Sequence, residues 1–152
     1  RGNGIIIVET IRVLSDFHAA HRQIGYPGKC AFVHGHTWKG EFVVSTEAFP
    51  RDELDMSLDF GDLKRIMKDL DHKIIVTESD AKFAAGDEFE PEGVVIIRGK
   101  GPSVENVAYY CFERIVAHIR EKFPNRGLNY RITVTIEETD HNFFIIEHNV
   151  RV

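Results

Sequence analysis

The chain has 152 residues, of which 43% are hydrophobic and 28% charged, the size and balance of one compact domain, so residues 1–152 are read as a single unit. A net charge of −5 gives no global field for nucleic acid or an anionic membrane, and no apolar run reaches membrane-spanning length. Arg1-Gly2-Asn3-Gly4 has neither a secretory h-region nor an initiator Met, and the distant Cys30 and Cys111 make no disulfide framework, so a reducing, cytoplasmic setting is the expectation.

Residues 5–14 are rich in β-branched side chains, with Ile7, Ile11 and Val13 on one alternating face, which predicts a strand. Phe17-His18-Ala19-Ala20-His21 follows; on a turn of helix His18 and His21, three apart, would face the same way. Gly25, Pro27 and Gly28 then make a loop that delivers Cys30. A long strand is expected from about Val33 to Thr46, antiparallel to the first. Successive strand side chains point to opposite faces, so His34 and His36 share a side with Trp38, Phe42 and Val44.

After a break at Phe49-Pro50-Arg51-Asp52, the residues Leu63, Ile66, Met67 and Leu70 form the stripe of a core-facing helix, with Asp71 and His72 at its end. Residues 77–101 are acidic and Gly-rich around Val94-Val95-Ile96-Ile97, and predict a short hairpin or an edge strand. Ser103 caps a second helix whose buried side is Val107, Ala108, Cys111, Phe112, Ile115, Val116 and Ile119, closed by Pro124 and Gly127. Strict alternation over Tyr130–Ile136, then Phe143–Ile146, predicts a terminal hairpin. The order ββααββ implies an α+β sandwich, a four-stranded antiparallel sheet with two helices on one face.

Three histidines within sixteen positions, His21, His34 and His36, point to a metal site, because imidazole nitrogens suit zinc and three of them leave a tetrahedral position open. His18 competes with His21 for the third place. Cys30, four positions before His34, reads either as a fourth ligand that closes the site or as a base held near the metal. Asp71-His72 is an ordinary ion pair at a helix end or, beside a cysteine base, a proton relay. Counting by twos from Ile132 places Glu138 on the apolar side of its strand, where a carboxylate needs a partner; Glu137 continues the polar side.

Together Phe17-His18-Ala19-Ala20-His21-Arg22, Cys30 with His34-Gly35-His36, Asp59-Phe60-Gly61-Asp62-Leu63-Lys64, Leu70-Asp71-His72, Pro102-Ser103-Val104-Glu105-Asn106 and Glu138-Thr139 resemble the 6-pyruvoyl- and 6-carboxy-tetrahydropterin synthases, which share the tunnelling fold. The resemblance implies that His21, His34 and His36 bind Zn2+, that Cys30 is the general base, and that Asp71 and His72 complete the relay. It implies that Glu138 holds the pterin edge, with Ser103 and Glu105 also at the substrate. The implied substrate is 7,8-dihydroneopterin triphosphate, and the implied assembly is a homohexamer in which sheets close into a barrel with sites between subunits. The three residues between Cys30 and His34 are similar to the 6-carboxy-forming branch of queuosine biosynthesis, which releases triphosphate and acetaldehyde. His18 departs from the small or polar residue usual there, and the segment from His72 to Pro102 is longer than in the shortest members. The competing readings are a pyruvoyl or hydroxymethyl product, or a non-catalytic zinc-stabilised domain with Cys30 as fourth ligand. Arg22, Lys29, Lys39, Lys73, Arg98 and Lys100 are candidates to meet the triphosphate.

Overall fold

The computed structural model describes residues 6–85 and 88–152; Arg1 to Ile5, including the first residue of the expected opening strand, and Gly86-Asp87 within the 77–101 stretch lie outside them. In chain order the elements are β1 (Glu9–His21), a 3-10 turn at Lys29–Ala31, β2 (His34–Thr46), α1 (Phe60–Lys68), β3 (Lys73–Thr77), α2 (Ala81–Ala84), β4 (Val94–Ile97), α3 (Val104–Lys122), β5 (Asn129–Thr139) and β6 (Asn142–Arg151). They build one sheet in the order β4-β3-β1-β2-β5-β6. The pairs β1–β2, β2–β5 and β5–β6 are antiparallel, whereas β1–β3 and β3–β4 are parallel. The expected four-stranded antiparallel sheet, β1-β2-β5-β6, is therefore one side of a six-stranded mixed one that β3 and β4 extend beyond β1.

The two added strands have a physical reason for escaping the sequence pattern. Ile74, Ile75, Val76 and Thr77 of β3 are all buried, so the segment shows the continuous apolar run of a strand covered on both faces and not the alternation of a half-solvated one. Ile75 joins the main core, while Ile74 and Val76 pack with Phe83 in a second cluster flanked by Ala20, Phe89 and Val94. The third helix, α2, thus covers the far face near the β4 edge. The expected edge strand at Val94–Ile97 is β4 itself.

The opening strand also differs from expectation. It begins at Glu9 and runs unbroken through His21, with Ile11, Val13, Phe17, Ala19 and His21 on the buried side and Ile7 exposed ahead of it. Ser15 interrupts the apolar alternation in sequence, but the pairing with β2 carries the strand straight past it. Both helices follow their stripes. Asp59 caps α1 by accepting from the Gly61 N–H at 2.6 Å, and Ser103 caps α3 by accepting from the Asn106 N–H at 3.3 Å. Leu63, Ile66 and Met67 of α1 and Val107, Cys111, Ile115 and Ile119 of α3 close over Phe17, Trp38, Phe42, Ile132 and Val134. Cys111 is fully enclosed there, and burial pushes its thiol up to about 12, which makes it inert packing. No helix of the described residues is long and apolar enough to cross a membrane.

Candidate metal centre

A strand alternates its side chains, so the β1–β2 register decides what meets at the loop end of this hairpin. His21 lies opposite His34, and Ala19 opposite His36. His21, His34 and His36 therefore converge on the face that carries Phe17 and Trp38, while His18 projects to the opposite face. This removes the helical-turn alternative in which His18 and His21 look the same way. The ring centroids are 4.7 Å apart for His21–His34, 5.2 Å for His21–His36 and 4.8 Å for His34–His36. One ring nitrogen from each lies within 4.8 Å of the other two. Trp38, fully buried, closes the floor with its ring 4.9 Å from His21 and 5.5 Å from His36.

The protons on these rings are dictated by their neighbours. His21 Nδ1 is 2.7 Å from the carbonyl oxygen of Pro102, and His34 Nδ1 is 2.6 Å from that of Phe32. A carbonyl can only accept, so Nδ1 donates and Nε2 keeps a lone pair. The Nε2 atoms of His21 and His36 are buried with no hydrogen-bond partner. Leaving such a group unpaired costs about 1–3 kcal/mol, a cost that a metal cation in contact with the lone pair removes. Burial pushes His21 down to about 4 and also lowers His36, so both are neutral at pH 7, as ligands must be. Three converging imidazole nitrogens fit a tetrahedral, nitrogen-preferring ion such as zinc.

Glu138 approaches from β5. The β5–β6 register slips between Glu137 and Thr139, and at this bulge Glu138 turns its Oε1 to 3.4 Å from His36 Nε2. Burial raises its carboxyl above the ordinary value; His34 opposes that effect and Glu105 reinforces it. Glu105, exposed in the first turn of α3, is therefore close enough for its charge to act on Glu138. Ser103 sits one residue after Pro102, its hydroxyl engaged as the helix cap.

Residues 10–149 match the model of a family described as 6-pyruvoyl tetrahydropterin synthase. The chain belongs to that family. It is 32% identical over 125 residues to a 6-carboxy-5,6,7,8-tetrahydropterin synthase of Rickettsia typhi, covering 79% of this chain and 84% of the relative. A second protein of that name, from Rickettsia bellii, is 30% identical over 111 residues, 70% of this chain and 79% of its own. The fold is similar to the crystal structure of 6-pyruvoyl tetrahydropterin synthase from Plasmodium vivax, with a TM-score of 0.66 at 18% identity over 94% of this chain and 99% of the other.

Not every family motif gathers at the histidines. Cys30 lies in the 3-10 turn beside them, exposed and outside the three-nitrogen group, with its carbonyl accepting from the Gln23 N–H at 2.6 Å. Asp71 and His72 lie beyond α1 and meet His18. Asp71 Oδ1 accepts from the His18 N–H and Oδ2 from His72 Nδ1, each at 2.8 Å, and both contacts hold the carboxyl below the usual range. The rings of His18 and His72 are 6.3 Å apart, at a shallow cleft of about 510 Å³ that Thr37 and Lys73 also line. A larger cleft, about 720 Å³ between α1 and α3, is lined by Asp62, Arg65, Arg114 and His118 and does not include the three histidines; chemistry, not volume, singles out the metal centre.

Two contacts, one at the centre and one on the far face of the sheet, had no counterpart in the sequence. Pro102 was visible only as a helix start, yet its carbonyl orients His21. Arg22, a triphosphate candidate, instead clasps Asp80 with two 2.8 Å hydrogen bonds and lies 4.3 Å over the Phe83 ring, tying α2 to the end of β1. A basic residue followed far downstream by an acid gives no such signal by itself.

The buried His21 has a measurable consequence in the metal-free protein. Its unfolded pKa is 6.5 and its folded value about 4, so the unfolded chain takes up the proton first as pH falls, and stability drops across that window. Urea unfolding of metal-free protein should lose roughly 3 kcal/mol from this group between pH 7 and pH 4. In His21→Gln that component of the slope should vanish; an unchanged slope would show that His21 titrates normally.

Proposed function

We propose that the chain is a zinc-dependent 6-carboxy-5,6,7,8-tetrahydropterin synthase of the queuosine route, converting 7,8-dihydroneopterin triphosphate with release of triphosphate and acetaldehyde. One observation carries this reading: three imidazoles converge beside the half-buried Glu138, those of His21 and His36 with buried Nε2 atoms that have no hydrogen-bond partner, in a chain about 30% identical to proteins of that name. His21, His34 and His36 hold the ion, which when bound supplies Lewis acidity to the hydroxyls of the substrate side chain. Glu138 accepts the paired N–H groups of the pterin ring, which offset the cost of its burial. Glu105 and Ser103 stand next to it at the start of α3.

Cys30 takes a proton from the substrate side chain, and Asp71 orients His72 to hold and return one. His72 meets His18, on the side of the sheet away from the metal group, so the relay that serves one centre comes from a neighbouring copy. That supports a homo-oligomer, in the family's hexameric arrangement, with sites completed between subunits. A cytoplasmic location agrees with reduced cysteines and a phosphorylated metabolite as substrate.

Mass spectrometry of the pterin product tests this. Zinc-loaded protein given 7,8-dihydroneopterin triphosphate should form the 6-carboxy product and acetaldehyde in equal amounts, and chelation should stop both. A pyruvoyl or hydroxymethyl pterin would identify a sister reaction at the same centre, and no pterin turnover would overturn the reading.

A further inference from the structure

Three consecutive carbonyls in the turn before α3 are each taken by a different side chain. Ser79 Oγ donates to Lys100 O at 2.9 Å, Asn106 Nδ2 donates to Gly101 O at 2.8 Å, and His21 Nδ1 donates to Pro102 O at 2.7 Å. Ser79 is itself held by the fully buried Thr77, 2.6 Å away. Gly99 enters the turn at φ +122°, and a Cβ on it would collide with the Asn106 amide. Backbone of this kind is open to glycine and strained for other residues, so the turn is wrapped around Asn106.

We infer that Asn106 is a positioning residue for the metal centre: by clamping the Gly99–Pro102 turn it aims the Pro102 carbonyl at His21 and so decides which ring nitrogen faces the ion. The inference rests on the metal-centre reading above and not on the identity of the pterin product. The chain of causes is short. A neutral imidazole carries one proton, and the two tautomers differ little in energy in water. Only the form with the proton on Nδ1 offers Nε2 to the enclosed centre, and only a carbonyl fixed within hydrogen-bond reach selects it. Pro102 cannot brace itself through an N–H, because proline has none. The brace one residue earlier is the Asn106 amide. Its nitrogen must be the atom facing Gly101 O, since the amide oxygen would meet another acceptor there. The Asn106 backbone N–H is at the same time bonded to the Ser103 hydroxyl, so the residue is fixed at both ends.

Asn106→Asp keeps the shape of the side chain and removes the donor. Contacts that orient a metal-bound histidine are typically worth 10–100-fold in metal affinity. Asp59→Ala, which removes the cap of α1 far from the turn, serves as a control that loses stability without touching His21. Two readouts are taken on the whole 152-residue chain: zinc affinity by competition with a chromophoric chelator, and the His21 tautomer in metal-free protein by long-range 1H–15N correlation.

In the native chain His21 should show a protonated Nδ1. In Asn106→Asp both tautomers should be populated and zinc affinity should fall 10–100-fold, while Asp59→Ala leaves tautomer and affinity within twofold of native. The inference is overturned if Asn106→Asp keeps the native tautomer and affinity, or if Asp59→Ala loses affinity to the same extent. Should the native chain bind no zinc at all, the metal-centre reading fails, and the tautomer comparison alone still decides whether Asn106 governs His21.

Discussion

Replacing Cys30 with Ala should leave one zinc per chain and lower turnover about 10²–10⁴-fold, the range expected when a general base is removed. The reason is geometric. Cys30 is exposed and lies outside the group of three nitrogens that converge to within 4.8 Å. Its turn is held by backbone bonds from Ala31 N–H to Gly28 O at 3.0 Å and from Phe32 N–H to Lys29 O at 2.9 Å, none of which needs the thiol. Alanine therefore keeps the turn and the three imidazoles and removes only the sulfur. Metal analysis beside single-turnover kinetics separates the two roles open to this residue. Zinc lost together with turnover would make Cys30 a fourth ligand and the centre a closed structural one.

His36→Ala should do the converse, taking metal binding and turnover down together to background while the fold persists. His36 gives a nitrogen that is buried and unpaired, and two remaining imidazoles leave a tetrahedral ion half bound. The strand does not depend on this side chain, because the pairing of His36 with Ala19 is made by backbone groups. Zinc stoichiometry by elemental analysis, with circular dichroism as a check on folding, measures the outcome. Full metal occupancy in His36→Ala would exclude it from the ligand set. Substrate added at high concentration with excess zinc should still fail to turn over in His36→Ala, because two imidazoles do not hold the ion.

The pair of variants is informative because the two sites of loss are so near each other in sequence. Between Cys30 and His36 the backbone changes from a 3-10 turn to an extended strand, and that change separates their roles. A turn places its side chain at the rim; a strand buried on one face places every second side chain inside. The same alternation sends His18 to the other face, where it meets Asp71 and His72. The His18 that departs from the family pattern is thus absent from the three-nitrogen group and stands beside the proposed relay.

The local elements could be read from residues alone wherever a pattern repeats within a few positions. The stripes of Leu63, Ile66, Met67 and of Val107, Cys111, Ile115, the Ser103 cap, and the alternation from Tyr130 to Ile136 appear where the sequence placed them, because each reflects one face or one end of one element. His34 and His36 on one side of a strand belong to the same class of inference.

What depended on distant partners was settled only by the tertiary structure. The strand at Lys73–Thr77, buried on both faces, has no alternation to betray it and exists because β1 and β4 flank it. His21 was separated from His18 because β1 stays extended through both, held by its pairing with β2, which puts residues three apart on opposite faces and His21 opposite His34. The Pro102 carbonyl that orients His21 stands 81 residues away along the chain, and a backbone oxygen has no identity in a sequence. Local patterns declare which face a side chain takes; which groups share a site is decided by contacts between segments that composition and spacing do not encode.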